Sequence, residues 1–284
     1  MKVLLTGGTG FIGKHLLRTL QKEGHRVIIL KRNVTSSKKY ENTSVEVHFW
    51  DAKDKNTLLE YINRADAVIN LIGEPVVKKR WSRLQKEKLE KTRIDSTNAI
   101  VQAILESNKK PEVLINASAV GYYGNTEDEE ISESHTKGKG FLAEVCEKWE
   151  SGAQRVTEAG VRVVLLRIGV VLGRRGGALS KILPPFKFFV GGPIGSGKQW
   201  FPWIHRKDIS RIVLFALDNK NLSGPVNATS PYPKTMNDFL NRAKKGSGEI
   251  EISHIKNERL EEGLDGTVSH YSVLLTMRRG KIRS

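Results

Sequence analysis

The sequence predicts an α/β fold: a doubly wound parallel sheet with a small C-terminal lobe. Three observations carry this. The chain opens on strand, glycine loop, helix and strand within about thirty residues, the order of a βαβ unit. Apolar runs of strand length then alternate with helical patterns as far as Arg167. Beyond Gly173 the chain turns irregular, punctuated by Pro184, Pro185 and the glycines between 191 and 197.

The elements follow in order. Residues 2–6 form an apolar strand, and Gly7-Gly8-Thr9-Gly10-Phe11-Ile12-Gly13 comes next. Leu16, Leu17 and Leu20 then share one helix face, with Lys14, Arg18 and Gln21 on the other. A strand over 26–30 follows the Gly24-His25 turn. Residues 33–42 read as a polar loop, 45–50 as an alternating strand, and 56–65 as a short helix with Leu58, Leu59 and Ile62 inward. Residues 66–72 form a buried strand, stopped by Gly73-Glu74-Pro75. A basic helix over 78–93 runs on through 94–105. Residues 113–118 are the next strand, leading to Ala119-Val120-Gly121-Tyr122-Tyr123-Gly124. An acidic loop over 127–133 precedes a helix over 141–159, then a strand over 161–167. In the last third, 209–217 is an apolar helix.

The glycine loop has specific chemistry. Gly7 permits a tight turn out of the strand, Gly10 lets a pyrophosphate approach the backbone, and Gly13 lets the helix pack close to the sheet. The N–H groups at the helix start then point at the phosphates, with the helix dipole behind them. The end of the second strand selects the nucleotide. An NAD site places Asp or Glu there for the ribose 2′-hydroxyl, whereas this chain has Leu30-Lys31-Arg32-Asn33. A guanidinium pairs with a 2′-phosphate through two hydrogen bonds, so NADP(H) is favoured over NAD(H). The competing reading is a solvated Lys–Arg pair on a surface loop.

Composition bounds the rest. At 284 residues with 38% hydrophobic content, the chain is long enough for one large α/β domain or a nucleotide domain with a smaller lobe. The single cysteine, Cys146, excludes an internal disulfide and a cysteine metal cluster, and it reads as buried and inert. Met1 leads straight into a core strand and no apolar run reaches a membrane-spanning length, so a soluble, cytoplasmic protein is expected. The net charge of +16 fits a nucleic-acid binder, attraction of anionic substrates, or a lysine-rich proteome. Residues 78–93 hold eight basic and two acidic residues with Trp81 as the lone aromatic, so they read as a solvated helix face rather than a base-stacking surface.

Four segments together resemble the extended short-chain dehydrogenase/reductase family: the glycine loop, residues 117–124, Arg167-Ile168-Gly169-Val170-Val171-Leu172-Gly173, and Ile204-His205 with Asp208. Within that family the chain is similar to the atypical branch of epimerase family proteins, the nucleoside-diphosphate-sugar-epimerase-like and cell-division-inhibitor-like proteins. The specific signatures are Gly73-Glu74, Phe141-Leu142-Ala143-Glu144 and the run from Gly191 through His205. The resemblance spans residues 1–240. It implies a Rossmann-like NADP-binding domain over 1–173, a substrate lobe with a returning helix over 174–240, and a tail over 241–284 that does not align.

Residue by residue, the resemblance implies cofactor contacts from Gly7, Gly10 and Gly13, with backbone N–H groups from Phe11 and Ile12. It places Lys31 and Arg32 at the 2′-phosphate and Leu71, Ile72 and Gly73 along the cofactor. Lys88 and Arg93 reach for its phosphates or ribose, and Arg167 faces the same crevice. The family's proton relay uses a Tyr and a Lys four residues later. The matching positions here are Phe141 and Val145, and the oxygen-polarising Ser or Thr position is Ala119, with Ser118 one place early. The nominated substitutes are Tyr122, Tyr123 and Ser118, with packing at a strand end as the alternative for the two tyrosines. Trp200, Phe201 and Trp203 either line a pocket or pack the lobe, and His205 with Asp208 shapes the pocket rather than binding a metal.

Two functions follow as expectations. One is an NADP(H)-dependent oxidoreductase or epimerase acting on a carbonyl or nucleotide-sugar-like substrate with a nonstandard proton donor. The other is a noncatalytic NADP-binding sensor or partner-binding protein.

Overall fold

The structure, a computed structural model, describes residues 1–32, 43–51, 54–76, 80–173, 176–178, 180, 196–232 and 234–245. The expected polar loop over 33–42, the segment over 181–195 and the tail from 246 on lie outside the described residues.

Among the described residues the order is β1 (Lys2–Thr6), α1 (Gly13–Lys22), β2 (Arg26–Lys31), β3 (Val45–Phe49), α2 (Lys55–Asn63), β4 (Ala67–Asn70), α3 (Arg83–Glu106) and β5 (Val113–Ala119). A 3-10 turn (Val120–Tyr123) follows. Next come α4 (Phe141–Gln154), β6 (Arg162–Ile168), β7 (Val170–Leu172), β8 (Trp203–His205), α5 (Arg206–Asp218), β9 (Gly224–Ala228) and α6 (Met236–Lys245). Seven strands form one sheet in the order β3-β2-β1-β4-β5-β6-β9, and β7 pairs with β8 in parallel. The pairings β1–β2, β1–β4, β2–β3 and β4–β5 are parallel. This is the expected Rossmann-like, doubly wound sheet, with the order reversing beside β1.

Both faces of the strands are buried, which is why they read as continuous apolar runs. Leu4, Ile28, Val68 and Leu114 on one face join Leu58, Tyr61 and Ile62 of α2 and Ile100, Val101 and Ile104 of α3 in a single core cluster. Their neighbours on the opposite face, Val3, Leu5, Val27, Ile29 and Ile69, are equally buried.

Several boundaries differ from the sequence expectation for local reasons. The fourth strand ends at Asn70 rather than Ile72, because the Asn70 side-chain oxygen takes the Ile72 N–H (3.2 Å) and turns the chain. Helix α3 starts at Arg83, not Lys78: Ser82 is its N-cap and accepts from the Gln85 N–H. The helix expected over 141–159 is α-helical only to Gln154, then tightens to 3-10 over Arg155–Ala159 before Gly160. The short strands β7, β8 and β9 were not anticipated; α6 continues through residue 245.

The chain divides into two compact units that interleave along the sequence. Met1–Ser118, Val145–Leu166 and Val213–Gly224 form the first; Ala119–Glu144, Arg167–Ile212 and the residues from Pro225 on form the second. In the first unit the carboxyl ends of β1, β4 and β5 are tied by a buried polar network. Thr6 donates to Asn70 Oδ1 (2.9 Å), and Asn70 Nδ2 donates to Asn116 Oδ1 (2.8 Å) and Thr97 Oγ1 (3.0 Å). Trp149 Nε1 closes the network on Thr97 Oγ1 (2.9 Å). Thr6, Asn70 and Asn116 are wholly inaccessible to solvent, so each polar atom depends on these partners.

Removing Asn70 strands partners on three elements. The Asn70→Ala protein should lose about 2–3 kcal/mol of stability, the cost of leaving buried groups unpaired. Urea unfolding checks this, and an unchanged midpoint at unchanged slope would contradict it.

Candidate functional site

The glycine loop is built by close backbone approach. A Cβ on Gly7 would lie 2.7 Å from both the carbonyl carbon and the oxygen of Leu71, and Gly7 has φ +75°. A Cβ on Gly13 would lie 2.3 Å from the Gly7 oxygen and 2.6 Å from Gly8 Cα. Neither position admits a side chain. Gly10 differs: a Cβ there would meet only the Gly7 oxygen, at 3.2 Å, and the residue is exposed. The loop is therefore shut against the protein at Gly7 and Gly13 and open at Gly10.

Helix α1 starts behind this opening. Gly10 N donates to Gly7 O and Lys14 N donates to Gly10 O, both at 3.0 Å. The Ile12 N-cap makes no side-chain capping bond and the first turn carries no acid. Lys14 N and His15 N are taken by the Gly10 and Ile12 oxygens, and the positive end of the helix dipole still suits an anion at the turn before them. These features fit a dinucleotide pyrophosphate.

At the end of β2, Lys31 is half-buried beside Phe49 of β3 in register, and Arg32 is exposed. Lys31-Arg32-Asn33, at and just after the strand end, includes no carboxylate. The three-residue stretch Leu71, Ile72 and Gly73 runs from β4 alongside the glycine loop, as the Gly7 contact shows. Two basic residues expected at the cofactor are engaged within the protein. Lys88 Nζ lies 3.7 Å from Glu74 Oε2. Arg93 donates to the Glu74 carbonyl (3.0 Å) and the Leu89 carbonyl (2.8 Å). Ser118 donates to Glu150 Oε1 (2.5 Å), and both are buried.

The second unit gathers three of the remaining candidates. Arg167 is 3% exposed and stacks on Tyr122 with its guanidinium carbon 3.6 Å from the ring centroid. Its Nη1 donates to the Tyr123 hydroxyl (2.8 Å) and the Glu133 carbonyl (3.2 Å). The Tyr123 hydroxyl in turn donates to Asn227 Oδ1 (2.6 Å), and Asn227 N donates to Glu133 Oε1 (2.9 Å). Burial pushes the Tyr123 phenol up to about 12, against the pull of Arg167, so it stays protonated at neutral pH. Tyr122 is only half-buried, and its hydroxyl makes no hydrogen bond among the described residues.

Other candidates sit as follows. Phe201 packs with Leu172, Met236, Phe239 and Leu240. Trp200 Nε1 donates to Asp128 (3.2 Å). His205 Nδ1 accepts from Lys207 N (3.4 Å), and Asp208 pairs with Arg211 (3.1 Å). Cys146 is buried. Among the described residues no group of three or more His, Cys, Asp or Glu is placed to hold a metal, and no helix is long and apolar enough to cross a membrane. The sequence reading overlooked Thr97, Asn116, Trp149, Glu133 and Asn227. Asn116 had a visible signal, a carboxamide inside an apolar strand, and it stands in register with Asn70 as Asn70 does with Thr6.

Comparison with known proteins agrees with this geometry. Residues 3–237 match the model of the "NAD dependent epimerase/dehydratase family". The chain is 37% identical over 240 residues to the epimerase family protein YfhF of Bacillus subtilis, covering 84% of this chain and 77% of that one. It is 39% identical over 243 residues to an Arabidopsis thaliana protein named "Epimerase family protein SDR39U1 homolog, chloroplastic", covering 82% and 67%. Among solved structures, human epimerase family protein SDR39U1 with NADPH superposes with a TM-score of 0.73 at 31% identity, over 86% of this chain and 79% of that one. Loop, sheet order and sequence thus agree, and the chain belongs to the NAD-dependent epimerase/dehydratase family.

Proposed function

We propose that the chain binds NADP(H) at the Gly7-to-Gly13 loop and acts as an oxidoreductase or epimerase on a carbonyl or nucleotide-sugar-like substrate, with Tyr122 as proton donor. One observation carries the cofactor reading. The loop is closed at Gly7 and Gly13, open at Gly10, backed by an uncapped helix start, and flanked by Lys31 and Arg32 where an NAD site has an acid. The NADPH in the crystal structure of the human relative supports the phosphorylated form.

The nucleotide, when bound, supplies or accepts a hydride at its nicotinamide ring. The chain's part is to bind, orient and move a proton. Phe11 and Ile12 offer N–H groups to the pyrophosphate, Arg32 and Lys31 hold the 2′-phosphate, and the backbone of Leu71, Ile72 and Gly73 walls the site. Tyr122 is the favoured proton donor of the three nominated groups. Ser118 spends its proton on Glu150, and Tyr123 is held between Asn227 and Arg167, while the Tyr122 hydroxyl is uncommitted among the described residues.

A second reading is a noncatalytic NADP-binding sensor or partner-binding protein. Phe141 and Val145 favour it, since they stand on α4 where the family relay has Tyr and Lys and neither transfers a proton.

Calorimetric titration should give tighter binding of NADPH than of NADH. Arg32→Glu should weaken NADPH by about 10- to 100-fold, the worth of a charge-assisted pair, and narrow or reverse the preference. Equal affinities in the wild type, or a preference indifferent to Arg32→Glu, would refute the assignment.

Tyr122→Phe should keep NADPH affinity and lower turnover by about 10²- to 10⁴-fold on any substrate found in a carbonyl and nucleotide-sugar panel. Tyr123→Phe should instead lower stability by about 1–2 kcal/mol, through the lost bonds to Asn227 and Arg167. Full turnover by Tyr122→Phe would remove it as the donor, and no turnover by wild type with NADPH bound would favour the sensor reading.

A further inference from the structure

We infer that Arg93 and Trp149 are positioning residues: together they clamp residues 71–74 against Gly7 and so set the affinity for the cofactor. This rests on the NADP(H) reading above. All the groups involved lie in the first unit.

Helix α3 grips Glu74 and Gly73 from one face. Arg93 Nη2 donates to the Glu74 carbonyl (3.0 Å), its Nη1 donates to the Leu89 carbonyl (2.8 Å), and Thr92 Oγ1 accepts from Glu74 N (3.2 Å). The guanidinium carbon lies 3.1 Å from where a Gly73 Cβ would stand, so a side chain at 73 would press on it. The guanidinium also lies over the Trp149 ring, with Cζ 5.2 Å from the ring centroid. Trp149 is itself fixed, because its Nε1–H is bound to Thr97 Oγ1, the atom that also takes Asn70 Nδ2. The far side of the same segment is the Leu71 carbonyl, in contact with Gly7. A shift at Glu74 therefore moves the wall on which the phosphate loop rests.

An arginine suits this work for a physical reason. A planar guanidinium can donate to carbonyls on two elements while presenting its face to an indole; an ammonium cannot do all three. Nη2 of Arg93 is directed at the Glu74 main-chain oxygen and Nη1 back at the Leu89 oxygen of its own helix. Its effect on the cofactor is thus carried by the loop, not by a direct bond to phosphate.

The test compares the full-length wild type with Arg93→Met, Arg93→Lys and Trp149→Leu. It reads NADPH affinity at several salt concentrations, amide hydrogen exchange in the cofactor-free protein, and melting temperature. Arg93→Met should weaken NADPH by about tenfold or more, speed exchange at the amides of Ile72, Gly73 and Glu74 without cofactor, and leave the salt dependence of binding unchanged. Arg93→Lys should recover part of the affinity, and Trp149→Leu should act in the same direction as Arg93→Met. Unchanged affinity with a lower melting temperature would reduce Arg93 to a structural role and overturn the clamp. Lost affinity with unchanged exchange and a shallower salt dependence would make Arg93 a phosphate ligand, which also overturns it. A wild type that binds neither NADPH nor NADH defeats the cofactor reading itself, whereas tight wild-type binding matched by all variants defeats the clamp alone.

Discussion

The site depends on how closely backbones meet at the start of the chain. Gly7 lies on the Leu71 carbonyl and Gly13 on the Gly7 carbonyl, each closer than any Cβ allows. This contact seats α1 at the mouth of β1 and sets the direction of its first-turn amides. Removing the side chains there gives up conformational entropy in exchange for geometry. The polar network of Thr6, Asn70, Asn116 and Thr97 secures the same strand ends from inside the sheet, where a mispaired amide would be costly.

A second theme is the use of polar groups for support where chemistry was expected. Tyr123 and Arg167 are tied to Asn227 and Glu133, and they hold the segment after β5 to the strand end of β6. Ser118 is bonded to Glu150, and α4 carries Phe141 and Val145, where the sequence reading looks for the relay. Helix α4 turns Trp149 and Glu150 inward instead, both nearly inaccessible to solvent. On the sequence reading, the cofactor loop keeps the family pattern while the expected proton-transfer positions depart from it. That contrast makes Tyr122 the one nominated group with an uncommitted hydroxyl among the described residues.

The N-terminal βαβ unit was legible because its signals are local. Strand runs, glycine spacing and the Leu16, Leu17, Leu20 stripe all fall within one short stretch, and α1 buries those three leucines. Element ends were less legible, since side-chain capping decides them: Asn70 ends β4, and Ser82 starts α3. The short strands β7 and β8 are three residues each, too short to leave a period in the sequence. The contacts of Arg93 and Arg167 were not legible at all. The sequence places Arg93 on a helix and Arg167 at a strand end, but only the fold shows that donors of each reach a carbonyl or a phenol.

The cofactor reading turns on Gly10, the loop glycine with least protein against it. A Cβ there meets only the Gly7 oxygen, at 3.2 Å, which needs to give by a few tenths of an ångström, and it stands where a pyrophosphate must approach. The decisive measurement is NADPH binding by Gly10→Ala, by calorimetry, beside its thermal melt. The account predicts a melting temperature near that of the wild type and an affinity weakened by about tenfold or more. A variant that melts like the wild type and binds NADPH equally well would contradict it.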